Sequence, residues 1–220
     1  MLNHALMKSG RMVETWSKNG IEVVSLDDLV SLKEFSDEDI IDTTASDDLV
    51  TYLRVKYEGF AEAGDEIVTS DTNYDYLYRI HTNDIVISNI AASYGSVAIV
   101  PPELDGCVVT SEYTVLKSKE GVDPIIAWLL LRSPESRSEM LLTSTGISRT
   151  RVKWEILKTI KFPKPTPEII NQVVSLTNKA NEAERLVLEN RTKAKDALES
   201  PLNLNSDEAW KTLRAFKPPR

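Results

Sequence analysis

The chain has 220 residues, 41% of them hydrophobic, and a formal net charge of −8 at neutral pH. That length and apolar fraction suit one or two globular domains with an ordinary core. The single cysteine, Cys107, excludes an intramolecular disulfide framework and a cysteine-based zinc finger.

Cys107 sits in the apolar run Gly106-Cys107-Val108-Val109, the setting of a buried structural thiol. No stretch of about 18 apolar residues reads as a membrane span. Met1-Leu2-Asn3-His4 does not open a secretory signal, so the expected compartment is the cytosol (cytoplasmic) and no membrane partner is expected.

Residues 1–20 carry Leu2, Leu6, Val13 and Trp16 at heptad-like spacing and close on Asn19-Gly20, which predicts an amphipathic N-terminal helix with a glycine stop. The apolar stretch 21–26 reads as a strand, followed by a short helix or turn in an acidic region. Alternation over 51–57 predicts a half-buried strand with Arg54 and Lys56 on its polar face. Further short strands are predicted at 66–69, 77–80, 85–88, 96–100 and 107–116. Asn83-Asp84, Tyr94-Gly95, Pro101-Pro102 and Asp105-Gly106 supply the turns among them. Such short spacings leave no room for crossover helices, so the sheet is expected to be mixed and mostly antiparallel.

Asp123-Pro124 and Ser133-Pro134 are helix starts, a capping side chain followed by proline at the first helical position. They predict helices over 124–131 and 134–142, with a shorter one at 152–157 before the strand-like 160–162. The prolines Pro163, Pro165 and Pro167 then launch a long helix. Along it Ile169, Val173, Leu176, Ala180, Ala183, Val187, Asn190, Ala194 and Ala197 follow at alternating steps of four and three, a coiled-coil stripe. At 1.5 Å per residue the helix is a rod of roughly 50 Å, too long to be buried in so small a chain. It is expected to project and to need a partner or another helix over its seam. A final short helix is predicted around Trp210, Leu213 and Phe216.

The predicted fold class is therefore α+β, a mostly antiparallel sheet with flanking helices, plus a long C-terminal coiled-coil helix. The expected organisation is an N-terminal helix at 1–20, a head at 21–165, the heptad helix at 166–200 and a tail at 201–220.

The average charge hides an asymmetry. Residues 21–50 hold ten acids against Lys33 alone, a balance of −9, whereas 146–165 set Arg149, Arg151, Lys153, Lys158, Lys161 and Lys164 against Glu155, a balance of +5. A polyanion responds to potential within about 8–10 Å, so a basic edge can bind DNA on an acidic protein. An ordinary solvated surface is the competing reading.

No P-loop and no Gly-x-Gly-x-x-Gly occurs among the eight glycines. Val100-Pro101-Pro102-Glu103 lacks the Asp or Asn of an aminomethylase signature. His4 and His81 stand far apart, outside any metal-ligand spacing, and no metal or cofactor is expected. Asp84, Glu112 and Lys117 form a loose acidic constellation of the kind a metal-dependent nuclease uses, at a spacing that chance also produces. Catalysis is not expected to reside in this chain.

What remains is recognition chemistry. Residues 143–151 pack Ser148, Arg149, Thr150 and Arg151 around Gly146, with Lys153 following; arginine forks clamp phosphate or a guanine edge, and hydroxyls bond phosphate oxygens. The loop 88–96 offers Asn89, Ser93 and Tyr94. A third cluster holds Asn73, Tyr74, Tyr76 and Arg79. Polar loops paired to this chain's own acids, a plain hairpin connection and core-edge packing are the respective alternatives.

Taken in order, these segments resemble the target recognition domain of type I restriction-modification specificity subunits. Val23-Val24-Ser25-Leu26-Asp27-Asp28-Leu29 looks like the family's opening strand. Asn83-Asp84-Ile85-Val86-Ile87-Ser88 with Tyr94-Gly95-Ser96 looks like its core, usually Gly-Asp-Ile-Leu-Ile-Ser followed by a glycine turn. Thr145-Gly146 with Arg149 and Arg151 resembles the segment before the short helix. Residues 160–167 with Gln172 resemble the proline and glutamine signature opening the conserved helix. The resemblance spans roughly residues 21–198, and departs from the pattern at Asn83 and in the Lys164 and Thr166 that separate the prolines.

Family members carry two recognition domains and two helices packed antiparallel; this chain has one of each. The resemblance therefore implies a half-subunit that forms a homodimer through its long helix, or a single recognition module. It would read double-stranded DNA without catalysing anything, and direct a DNA adenine methyltransferase and a restriction motor subunit. Seam alanines suit close helix approach, and Asn190 can fix register. A coiled-coil adaptor or regulator that binds protein through the acidic segment is the alternative, and the metal-dependent nuclease the third.

Overall fold

The computed structural model describes residues 12–143 and 151–199. The chain divides into two units, Met1–Ile170 and Asn171–Arg220. Helix α1 covers residues 12–18 and stops at Asn19-Gly20 as expected. Gly20 takes φ of +71°, its N–H donates to Ser17 O at 3.1 Å, and Ile21 N–H donates to Trp16 O at 2.9 Å. That double closure is a Schellman motif. Leu2 and Leu6 lie outside the described residues, as do Trp210, Leu213 and Phe216.

The elements that follow are β1 (Val23–Ser25), α2 (Leu26–Leu29), β2 (Val30–Leu32), β3 (Ile40–Asp42), β4 (Leu49–Val55), β5 (Ala61–Val68), β6 (Tyr76–Arg79) and β7 (Ile85–Ser88). Next come β8 (Val97–Ile99), β9 (Val108–Val109), β10 (Tyr113–Ser118), α3 (Pro124–Arg132), α4 (Pro134–Thr143), α5 (Trp154–Leu157), β11 (Lys161–Pro163) and α6 (Pro167–Glu199). The fold is α+β, and its strands form a β1-β11 ribbon, a four-stranded sheet in the order β2-β10-β7-β8 and a five-stranded sheet in the order β3-β6-β9-β4-β5. Pairing is antiparallel except for β4 against β9, which run parallel with Tyr52 opposite Val108.

Ile85, Val86 and Ile87 show why β7 reads as a continuous apolar run. Ile85 and Ile87 enter one core with Leu26, Leu116, Leu131, Met140 and Phe162, while Val86 points the other way into a second core with Leu53, Ile80, Val109 and Val115. A strand buried on both faces has no polar alternation to show.

Several expectations are corrected. The acidic stretch holds two further strands, β2 and β3, each of three residues and so too short for periodicity to reveal. The strand expected at 66–69 begins at Ala61, because polar Glu62, Gly64 and Asp65 occupy the edge of a hairpin with β4. The strand expected over 107–116 breaks into β9 and β10. A turn closed by Tyr113 N–H to Thr110 O at 3.1 Å moves the chain from one sheet to the other.

The helix starts work as read. Asp123 Oδ1 accepts from Ile125 N–H at 2.9 Å ahead of Pro124, and Ser133 Oγ accepts from Ser136 N–H at 3.2 Å. Ser25 caps α2, its N–H donating to Asp28 Oδ2 at 2.7 Å. In α6 the stripe residues Ile169, Leu176, Val187, Ala180, Ala183, Asn190, Ala194 and Ala197 are exposed and Val173 is half-buried. No helix among the described residues is long and apolar enough to cross a membrane.

The departure at Asn83 has a backbone cause. Asn83 has φ of +69° in the turn closed by Asp84 N–H to His81 O at 2.9 Å. Glycine takes that left-handed conformation freely and asparagine tolerates it. Asn83→Gly is expected to leave the unfolding free energy from urea titration within a few tenths of a kcal/mol, whereas Asn83→Val should lose about 1–2 kcal/mol.

Candidate nucleic-acid interface

β7 and β10 run antiparallel with Ile85 opposite Leu116 and Ser88 opposite Tyr113. Beyond the last pair, Asn89 N–H donates to Glu112 O at 3.0 Å, and Asn89 O accepts from Val152 N–H at 2.9 Å. Thr114 Oγ1 donates to Asn89 Oδ1 at 2.7 Å, which sets the amide's orientation. Arg151 then closes a two-pronged bond to Glu112, Nε to Oε2 at 2.8 Å and Nη2 to Oε1 at 2.5 Å. Its hydrogen bonds with Glu112, then the Glu112 charge and the nearby Tyr74 phenol, hold the Arg151 guanidinium above its ordinary pKa.

Tyr74 lies within electrostatic reach of Arg151, and the same phenol, after burial, raises the pKa of Tyr113. Two segments distant in sequence, represented by Asn89 and Arg151, are brought to one place through Glu112 and Val152. Asn73 and Tyr76 flank Tyr74 and are exposed, and Lys153 is an exposed residue two positions beyond Arg151. Ser148, Arg149 and Thr150 lie outside the described residues.

Arg79 is held elsewhere. It pairs with Val108 across β6 and β9, and its Nη1 donates to Gly106 O at 3.3 Å. The guanidinium braces a turn of the five-stranded sheet.

The loop that begins at Asn89 ends at a second group of residues. Arg137 Nε donates to Ser93 O at 3.0 Å, and Arg132 Nη1 donates to Gly95 O and, at 3.3 Å, to Tyr57 O. The Arg132 carbon centre lies 5.4 Å from the Trp128 ring centroid, and Trp128 Nε1 donates to Val97 O at 2.9 Å and Gly59 O at 3.2 Å. Burial, with Arg137 adding a like charge and Glu58 opposing, lowers the Arg132 pKa. Sequence reasoning missed Tyr57, Arg132 and Arg137. Arg132 looks like the polar end of an apolar helix, and its partners lie 37 and 75 residues away.

The acidic constellation is not assembled. Asp84 aligns with Lys117 at one end of the β7-β10 ladder and Glu112 with Asn89 at the other, roughly 16 Å away along the strands. Asp84 is fully buried against Lys33 Nζ at 2.8 Å and Lys117 Nζ at 3.3 Å, while Glu112 bonds Arg151. Among the described residues no group of three His, Cys, Asp or Glu side chains is placed to hold a metal ion.

No protein-family profile and no curated protein matches the chain. Its fold does match solved structures. The HsdS subunit from Thermoanaerobacter tengcongensis superposes with a TM-score of 0.56 at 19% identity, over 82% of this chain and 48% of that one. A chain solved for the complex assembly and conformational transition of the type I R-M system gives 0.57 at 19%, with the same coverage. The chain has the fold of a type I specificity subunit. It spans about half the length of those subunits. In this specificity-subunit fold, the loop after β7 and the segment around Arg151 are fastened together through Asn89 and Glu112.

Proposed function

We propose that this chain is the DNA sequence-recognition subunit of a type I-like restriction-modification system, itself non-catalytic, directing a partner adenine methyltransferase and a restriction motor subunit to a short target. The observation that carries this reading is the specificity-subunit fold over 82% of the chain. The meeting of Asn89 and Arg151 at the end of one strand ladder, with Tyr74 within electrostatic reach, supports it, because a DNA reader needs polar and cationic side chains from several loops on one surface.

Residues 21–165 serve as the recognition head and 166–200 as spacer and dimerisation helix. Arg149, Arg151 and Lys153 position the duplex by its phosphates; the loops carrying Asn89, Ser93, Tyr94, Asn73, Tyr74 and Tyr76 face its bases. Two copies joined through the exposed stripe of α6 present two heads, one from each chain.

The test is methylome sequencing of cells that carry the chain with its methyltransferase. A split palindromic adenine-methylated motif, lost on deletion of the chain, is the expected result. A nonpalindromic motif counts against the homodimer, and methylation unaffected by the deletion overturns the reading.

A further inference from the structure

Tyr57 and Tyr94 are 61% and 62% exposed, yet their rings stand edge to face with centroids 6.2 Å apart at an interplanar angle of 66°. Exposed tyrosines ordinarily have no reason to be held in one arrangement. Here one side chain ties the backbone of Tyr57 to that of Gly95, the neighbour of Tyr94. Arg132 donates to Tyr57 O and to Gly95 O, joining the turn between β4 and β5 to the loop after β7.

The two loops fit closely. Gly95 has φ of +104°, and a Cβ there would lie 2.7 Å from Tyr57 O; a side chain at Gly59 would collide with the Arg132 guanidinium. The turn that carries Tyr57 is closed by Lys56 N–H to Phe60 O at 2.8 Å and Gly59 N–H to Lys56 O at 3.0 Å. Arg137, bonded to Ser93 O, brings a second guanidinium near enough for its charge to act on Arg132. The result is an aromatic pair on two loops that Arg132 and Arg137 bond through their backbone carbonyls.

We infer that Tyr57 and Tyr94 form a base-contacting platform, stacking on nucleobases exposed at a distorted step of duplex DNA while Arg132 and Arg137, bonded to the loops that carry the rings, supply positive charge nearby. Aromatic faces accept any base, and nearby guanidiniums favour the polyanion that carries it. The platform is continuous with the interface at Arg151, since a single loop runs from Asn89 to Gly95 between them. The same chemistry occurs at protein interfaces; charge and this continuity favour DNA. The inference rests on the proposed DNA-recognition role and adds the hairpin turn of Tyr57 to it.

The full chain, together with its methyltransferase, is to be used to select sequences from a randomised duplex pool. Binding is then measured on a selected duplex and an unrelated one across a salt series. Tyr57→Leu and Tyr94→Leu are expected to lose roughly ten- to hundredfold affinity for the selected duplex, with the salt slope unchanged because no charge is removed. Tyr57→Phe and Tyr94→Phe, which keep the rings, should stay within about threefold of the parent. Thermal melts verify folding, and the phenylalanine variants with Tyr94→Leu suffice if Tyr57→Leu does not fold. Leucine variants that bind the selected duplex like the parent overturn the inference while the DNA-recognition role stands. So does loss of methyltransferase association with DNA binding retained, which assigns the rings to protein. A parent complex that selects no sequence sinks the recognition role, and the platform with it.

Discussion

Arg149→Ala combined with Arg151→Ala is expected to weaken duplex binding and to lower the slope of log affinity against log salt by roughly 2, about 0.9 for each phosphate contact removed. Arg151→Ala alone should account for about half of that change. The bond to Glu112 sharpens the test. Arg151 is partly exposed and its two-pronged partner is a carboxylate, so DNA phosphate must compete with Glu112 for the same fork. Glu112→Gln is therefore expected to tighten binding to unrelated and target duplexes alike, the opposite sign to Arg151→Ala. Filter binding or fluorescence anisotropy across a salt series reads both. If Glu112→Gln weakens binding as Arg151→Ala does, the pair shapes the loop and Arg151 is no phosphate contact.

Lys33→Met is expected to cost about 3–5 kcal/mol, the penalty for stranding one partner of a buried ion pair. Lys33 Nζ reaches Asp84 Oδ2 at 2.8 Å and Arg79 O at 3.1 Å, and lies 5.0 Å from the centre of the Phe35 ring. Asp84 is wholly buried and also accepts from His81 N–H at 2.8 Å. Lys117 stands 3.3 Å from Oδ1 without hydrogen-bonding alignment, so its half-exposed ammonium offsets part of the charge and no more. The urea midpoint should fall by about 1–2 M, and Lys33→Met with Asp84→Asn should recover a large share by removing the stranded charge. An unchanged midpoint for Lys33→Met would show that Lys117 and the backbone satisfy Asp84 unaided. The pair matters to the site because Asp84 anchors the start of β7, whose far end presents Asn89.

Much of the architecture was legible where the signal is local. Asp123-Pro124 and Ser133-Pro134 begin helices because the cap and the proline act within one turn. Asn19-Gly20 ends one for the same reason. The strand 85–88 has the bounds its sequence predicts, since Ile85, Val86 and Ile87 are buried on both faces and form an unbroken apolar run. β2, β3 and the first half of β5 were not legible; three residues carry no period, and Glu62, Gly64 and Asp65 belong to an edge that tolerates polarity.

The candidate site divides along the same line. Asn89 and Arg151 are nameable from residue chemistry, but their meeting depends on a register that puts Ser88 opposite Tyr113 and thereby Asn89 beside Glu112. That same register parts Asp84 from Glu112 and dissolves the acidic constellation. By itself the sequence determined the α+β class, the helix ends, the long period of α6 and the kinds of polar and cationic side chain its loops carry, all properties of neighbours a turn or two apart. Tertiary structure alone decided that Lys33 neutralises Asp84, that Arg79 braces a turn, and that Arg132 locks Tyr57 against Tyr94. Those contacts join residues 27 to 75 positions apart, and a hydrogen bond or buried charge is satisfied by whatever the fold brings near it, which no local pattern encodes.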